Sequence, residues 1–225
     1  MNVYFDNAAT TRVREEVIDE VSSVLKSCFG NPSSTHSFGR SAKSYIETSR
    51  KTIAKILNCE PGEIIFNSGG TESDNSILKC AVKDLGVKHI ISSKIEHHAV
   101  THTLEELESQ NISIHYVKLK ESGDIDFDDL ERLLNLNDEP KLVTLMYINN
   151  EIGNILDINK VSNLCQKYNS FFHSDAVQAV GHYKIDLKSL KIDFMSSAGH
   201  KFHGPKGVGF TYINNSTKIK SFICG

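Results

Sequence analysis

Short apolar runs separated by longer amphipathic stretches set the pattern of this chain. Ile64 to Phe66, His89 to Ile91, Ile112 to Val117, Leu142 to Tyr147, Phe171 to Asp175, Ile192 to Met195 and Gly207 to Ile213 each read as a short strand. Helical spacing fills most of the gaps. Glu15 to Cys28 repeats apolar residues at Val17, Val21, Val24 and Leu25. Gly39 to Leu57 turns Ala42, Tyr45, Ile46, Ile53, Ile56 and Leu57 inward and ends near Asn58, just before Pro61-Gly62. A further helix, opening near Gly70, has Ile77, Leu78, Ala81 and Leu85 on its inner face. Seven strands alternating with helices predict one α/β layered domain with a mainly parallel sheet. Only the turn from Gly199 to Lys206 joins the last two strands. That leaves no room for a crossover helix, so the seventh strand runs antiparallel to the sixth.

Composition narrows the partners. The 225 residues are 39% apolar and 24% charged, enough for one large α/β domain or two small ones with a substantial core. A net charge near −3 with both signs interspersed gives no basic stripe, which argues against nucleic acid or an anionic membrane and leaves small molecules as the expected partners. The first residues carry neither a basic nor an apolar signal region, and no run approaches the length of a membrane span, so a cytoplasmic location is the expectation. The five cysteines are odd in number and scattered without a CxxC pair, so reduced thiols are expected rather than disulfides or a zinc site.

In an open parallel sheet, reactive groups collect at the carboxyl ends of the strands. The first strand leads into Asn67-Ser68-Gly69-Gly70-Thr71-Glu72, where glycine backbone N–H groups, the Thr71 hydroxyl and a helix dipole could cradle a phosphate. By itself this is better read as a Ser/Thr-capped turn with no ligand. His97 follows the second strand and alone is an ordinary surface histidine; Asp175 ends the fifth and alone is a helix cap. Lys201 follows the sixth, where a half-buried lysine serves phosphate contact, base catalysis or a Schiff base. Together a phosphate cradle, an acid, a histidine and a lysine at the ends of one sheet are the parts of a pyridoxal phosphate site. The lysine takes the aldehyde, the acid keeps the pyridine nitrogen protonated and the cradle anchors the phosphate. Competing motifs are weaker. The Gly204 to Gly209 turn leads into a strand rather than a helix, unlike a dinucleotide fingerprint, and Pro205 stands where a P-loop needs its lysine. His97, His98 and His102, or His200 and His203, lack a convergent further ligand for a metal.

Seven stretches in register along the chain resemble the cysteine desulfurases of aminotransferase class V. They are Tyr4 to Thr11, Gly30 to His36, Asn67 to Asn75, Glu96 to Val100, Asn149 to Gly153, Asp175 to Gly181 and Gly199 to Lys201, and the Asn149 to Gly153 block and the Lys201 region resemble the branch serving iron–sulfur cluster assembly and nitrogenase maturation more than the selenocysteine lyase-like branch. The resemblance implies the aspartate aminotransferase-like fold of pyridoxal-phosphate-dependent transferases. Residues 14–225 would be its large, cofactor-binding domain and residues 1–13 a segment associated with the small domain and active site, the small domain itself being mostly missing. It implies that Lys201 binds the cofactor aldehyde, Asp175 pairs with the pyridine nitrogen, and His97 stacks on the ring and moves protons. Gln178 would bond the ring hydroxyl, Asn150 would face the ring and the substrate carboxylate, and Gly70, Thr71 and His200 would hold the phosphate. Where the family places a serine three residues before the lysine, this chain has Ala198; either Ser197 replaces that contact or it is lost. The implied reaction converts L-cysteine to L-alanine and passes the sulfur to an iron–sulfur scaffold or other acceptor, in a homodimer. The sulfur-accepting cysteine and the carboxylate-binding arginine are implied to lie beyond residue 225, which makes this an amino-terminal portion, inactive alone. The alternatives are a cofactor-binding or interaction module, or another class V lyase or aminotransferase.

Overall fold

The computed structural model describes residues 1–224. All seven expected strands form: β1 (Ile64–Asn67), β2 (His89–Ser92), β3 (Ser113–Tyr116), β4 (Lys141–Thr144), β5 (Phe171–Asp175), β6 (Phe194–Ala198) and β7 (Gly209–Ile213). They make one sheet in the order β1-β7-β6-β5-β4-β2-β3. Strand β7 is antiparallel to both of its neighbours, and every other pairing is parallel. All strands but β7 therefore deliver their carboxyl ends to the same edge.

Among the described residues six α-helices accompany the sheet: α1 (Glu15–Ser27), α2 (Ser37–Leu57), α3 (Gly70–Leu85), α4 (His98–Ser109), α5 (Phe127–Leu134) and α6 (Ile158–Lys167). One face of the sheet is covered by α3 and α4, whose Ile77, Leu78, Ala81, Val100, Leu104 and Leu107 pack on Ile90, Leu142 and Phe194. The other face receives the carboxyl end of α2 with α5 and α6, through Ala54, Leu57, Leu130, Leu134 and Val161. Polar punctuation sets the helix ends. The Asp126 carboxylate accepts the N–H groups of Asp128 and Asp129 at the start of α5, and Asn58 closes α2 at φ 53°.

Two amphipathic faces differ from their expected burial. Helix α1 buries none of its residues, and Val21 and Leu25 are 42% and 75% exposed. In α2, Ala42 and Leu57 are buried and Ile53 packs against the core, but Tyr45 and Ile56 are 44% and 72% exposed. An apolar stripe shows that a face calls for cover, not that this chain supplies it. Strand limits shift too. β4 ends at Thr144, although Leu145 and Tyr147 still donate to the carbonyls of His173 and Asp175, and β6 runs on to Ala198.

Candidate functional site

Five chain reversals build one cavity at the carboxyl edge of the sheet, each locked by local hydrogen bonds. After β1, the Asn67 side chain accepts from Gly69 N–H at 3.0 Å and donates to Ser73 and Thr211 at 2.7 Å. Gly69 adopts φ +141°, closed to most side chains, and α3 starts at Gly70. Its first N–H groups have no acceptor within the helix and point out of its positive end. After β2, the Nδ1 of His97 accepts from Ala99 N–H at 3.1 Å and so caps α4, which leaves Nε2 as the ring's proton-bearing atom in the neutral form. After β4, Asn149 accepts from Glu151 and Ile152 N–H at 2.9 and 3.0 Å and donates to the Ile95 carbonyl at 2.7 Å, fixing the turn that presents Asn150. Asp175 ends β5 with Oδ1 accepting from Val177 N–H at 2.9 Å. Beyond β6, a single 3-10 turn, Gly199–Lys201, carries the lysine.

The amino-terminal segment lies across this edge. Thr11 N–H and its hydroxyl both donate to the His200 carbonyl at 2.9 Å, and the hydroxyl accepts from His203 N–H at 2.7 Å. The segment is thereby tied to the lysine turn, and its carbonyls face the site. The Lys201 ammonium donates to Ala9 O at 3.0 Å and to Ala8 O, which also accepts from the Gln178 amide at 2.8 Å.

The resulting cavity, about 250 Å³, is lined by Gly70, Thr71, His97, Asn150, Asp175, Gln178, His200 and Lys201. These are eight of the nine residues singled out from the sequence. The ninth, Ser197, is fully buried and does not line it. Side chains alternate along a strand, so β6 presents Ala198 to the cavity and turns Ser197 away, where its hydroxyl has no hydrogen-bond partner. Sequence reasoning missed Ala9, Asp74, Met146 and Val177, which also line it. Asp74 had a legible signal: an acid on the stripe 74, 77, 78, 81 of α3, where its companions Ile77, Leu78 and Ala81 are apolar and buried.

Burial dominates the electrostatics. It lowers the Lys201 ammonium from its ordinary value, with Asp175 and then Asp6 working in the opposite direction. It raises Asp175, opposed by the Val177 N–H, His97 and Lys201. His200 is lowered by burial and by the Lys201 and Lys206 charges. The arrangement thus offers a lysine with an enlarged neutral fraction, a buried carboxylate and a positive helix end within one concavity.

These residues fit pyridoxal phosphate. A Cβ on Gly70 would come within 2.7 Å of Val177 Cγ2, so the helix entrance tolerates only glycine without a shift. Asp175 is 3% exposed yet keeps an oxygen free of Val177, the disposition needed to meet a ring N–H⁺.

A parallel-sheet α/β domain with a lysine, an acid and a helix amino terminus meeting at its carboxyl edge is the large domain of a pyridoxal-phosphate-dependent transferase fold. The aminotransferase class-V profile matches residues 3–224, and the chain belongs to that family. Among curated relatives, cysteine desulfurase IscS of Clostridium botulinum (strain Kyoto / Type A2) is 44% identical over 99% of this chain and 56% of its own length. The IscS of Dictyoglomus turgidum is 45% identical over 99% of this chain and 57% of its own. A solved structure titled NifS-like protein superposes with a TM-score of 0.96 at 38% identity, covering all of this chain and 62% of its own. SspA in complex with cysteine gives 0.93 at 34% identity, covering 99% of this chain and 65% of its own. The chain spans little more than half the length of the curated relatives it matches.

Proposed function

We propose that this chain is the cofactor-binding domain of a pyridoxal-phosphate-dependent cysteine desulfurase. The observation that carries the reading is the convergence of Lys201, Asp175, His97 and the α3 amino terminus in one cavity. Residues 14–225 act as this domain and residues 1–13 as a separate strap over the site. Gly70, Thr71 and His200 hold the phosphate, Gln178 the ring hydroxyl, Asp175 the pyridine nitrogen, and Asn150 faces the substrate carboxylate. When bound, the cofactor supplies an electron-accepting ring for removal of the proton beside the substrate nitrogen. The neutral amine of Lys201 is the group that meets the aldehyde, and the lowered proton affinity of this lysine enlarges that fraction near neutral pH. His97, its Nδ1 engaged by the helix, has Nε2 available to carry a proton over the ring.

The substrate class follows from the relatives and from the cysteine-bound neighbour: L-cysteine, with sulfur leaving for an iron–sulfur scaffold or other acceptor protein. A homodimer in the cytoplasm fits this reading, and the five free cysteines agree with a reducing compartment. None of those cysteines lines the cavity. Burial raises the thiols of Cys59, to about 12, and of Cys80 and Cys165, so each of these is a poor thiolate. The sulfur-accepting cysteine is therefore assigned outside these 225 residues. The same observation favours a second reading, a domain that holds cofactor and amino acid without transferring sulfur.

The test is to load the purified chain with pyridoxal phosphate and add L-cysteine, following the visible spectrum and alanine release. The spectrum should respond to L-cysteine, with alanine no faster than from free cofactor. A chain that turns over L-cysteine and carries a persulfide on one of its own cysteines would contradict the assignment of the acceptor. A spectrum indifferent to L-cysteine but responsive to another amino acid would replace the substrate.

A further inference from the structure

Three carboxyl groups are buried together beneath the site, and the mechanism above uses one of them. Asp74 on α3 is 1% exposed, Glu96 before α4 is 9% exposed, and Asp175 on β5 is 3% exposed. They stand close enough that Asp175 repels both of the others. Three such charges cannot coexist in a dry interior at neutral pH without cations to match.

The favourable partners are not shared evenly. His97 and Lys201 both face Asp175, which in addition accepts the Val177 N–H. Asp74 faces Asp175, Glu96, the Ser196 hydroxyl and His173, none of which is a cation. Although His173 Nε2 lies 3.5 Å from Asp74 Oδ1, burial lowers its imidazole to about 3, so at neutral pH this is a neutral ring beside an acid rather than an ion pair. The ring is occupied by Thr144 Oγ1 at 2.8 Å and Ser196 Oγ at 3.0 Å. Asp74 Oδ1 is left without a hydrogen-bond partner. Glu96 accepts the Ser93 hydroxyl at 2.6 Å through Oε1, while its Oε2 has none. Lys120, Asp124 and Asp157 share the neighbouring cavity of about 280 Å³ with Glu96 but make no hydrogen bond to it.

We propose that Asp74 and Glu96 are positioning residues held as neutral carboxylic acids, so that the buried trio carries one negative charge and that charge resides on Asp175. Asp74 and Asp175 both line the cavity, and protonation of Asp74 and Glu96 leaves Asp175 as the charged member of the trio there. The inference concerns the chain itself and stands whether or not pyridoxal phosphate is the ligand. Burial, Asp175 and Glu96 raise Asp74 against the Ser196 hydroxyl, and burial with Asp175 raises Glu96 to about 8 against the Ser93 hydroxyl and the Met146 N–H, which agrees with the assignment.

The experiment is infrared difference spectroscopy of the full chain without added cofactor at neutral pH in D2O, on wild type, Asp74→Asn, Glu96→Gln and Asp175→Asn. Protonated carboxyl groups absorb apart from carboxylates. The wild type should show buried acid bands, one lost in Asp74→Asn, another in Glu96→Gln, and none in Asp175→Asn. Absence of acid bands from wild type, or bands unchanged in both Asp74→Asn and Glu96→Gln, would overturn the proposal. Should Asp74→Asn fail to fold, the pH dependence of unfolding for Glu96→Gln decides. A folded-state value raised above the unfolded one means stability is lost as pH rises between the two. The wild-type Tm should therefore fall relative to the variant from about pH 5 to about pH 8. Parallel curves would overturn the role of Glu96.

Discussion

At the residue scale, the Lys201 ammonium rests on the Ala8 and Ala9 carbonyls, with burial favouring its neutral form. The amine should react with an aldehyde at lower pH than a free lysine. The pH midpoint of pyridoxal phosphate capture should lie below the ordinary lysine value of about 10.4; a midpoint at or above it would contradict the role of burial. Thr11 carries the strap, being 6% exposed and bonded on both sides of the lysine turn. Thr11→Val removes those bonds and leaves His203 N–H unpaired, at a cost of about 1–3 kcal/mol. For a chain of this size a Tm lower by roughly 2–4 °C per kcal/mol is expected in thermal unfolding. None of this was legible in the sequence. Carbonyl acceptors have no residue-type signature, and contacts between residues 8–11 and 200–203 arise only when the sheet closes. Asp175, read from the sequence as a helix cap when taken alone, caps a turn instead: one oxygen accepts the Val177 N–H, no helix follows before β6 among the described residues, and the residue lines the cavity.

At the element scale, the β1–α3 loop that lines the cavity depends on β7 approaching it without side chains between them. A Cβ on Gly209 would fall 2.4 Å from the Ser197 carbonyl and 2.7 Å from Gly69 Cα, both backbone atoms that cannot rotate away. Gly209→Ala should lose at least the roughly 1–3 kcal/mol typical of overpacking, seen as a lower denaturation midpoint. Gly70→Ala meets only the Val177 side chain, which can move, so it should unfold near wild type and instead weaken pyridoxal phosphate binding. Equal loss of stability in both would contradict this distinction. The strands were readable because short apolar runs such as Ile64 to Phe66 and Ile192 to Met195 stand out from helical periodicity. The β6–β7 reversal was readable from loop length alone. The phase of β6 at its carboxyl end was not: which of Ser197 and Ala198 faces the cavity depends on the register with β5 and β7.

At the scale of the whole molecule, the sheet and its two clusters form a complete core, whereas α1 and the start of α2 present uncovered apolar side chains. Leu25, Phe29 and Phe38 are 75%, 75% and 55% exposed, and the two phenylalanine rings meet at 5.1 Å, tilted by 33°. Such a patch predicts association of the chain with itself. Sedimentation should show species above the 25.1 kDa monomer. Leu25→Glu with Phe29→Ser should return the chain to the monomer without lowering its Tm; a wild type that stays monomeric would contradict the prediction. The periodicity of α1 was legible and its cover was not, because a pattern records a face to be buried without naming what buries it.

The central claim is that these residues alone hold pyridoxal phosphate through Lys201. Its most direct measurement is the visible absorption of the chain with added pyridoxal phosphate, before and after borohydride, beside Lys201→Ala. A visible band in wild type, fixed by borohydride as a pyridoxyl group on Lys201 and missing from the variant, is the predicted result. A soluble, folded wild type without the band, or with the pyridoxyl group spread over other lysines, would contradict the account.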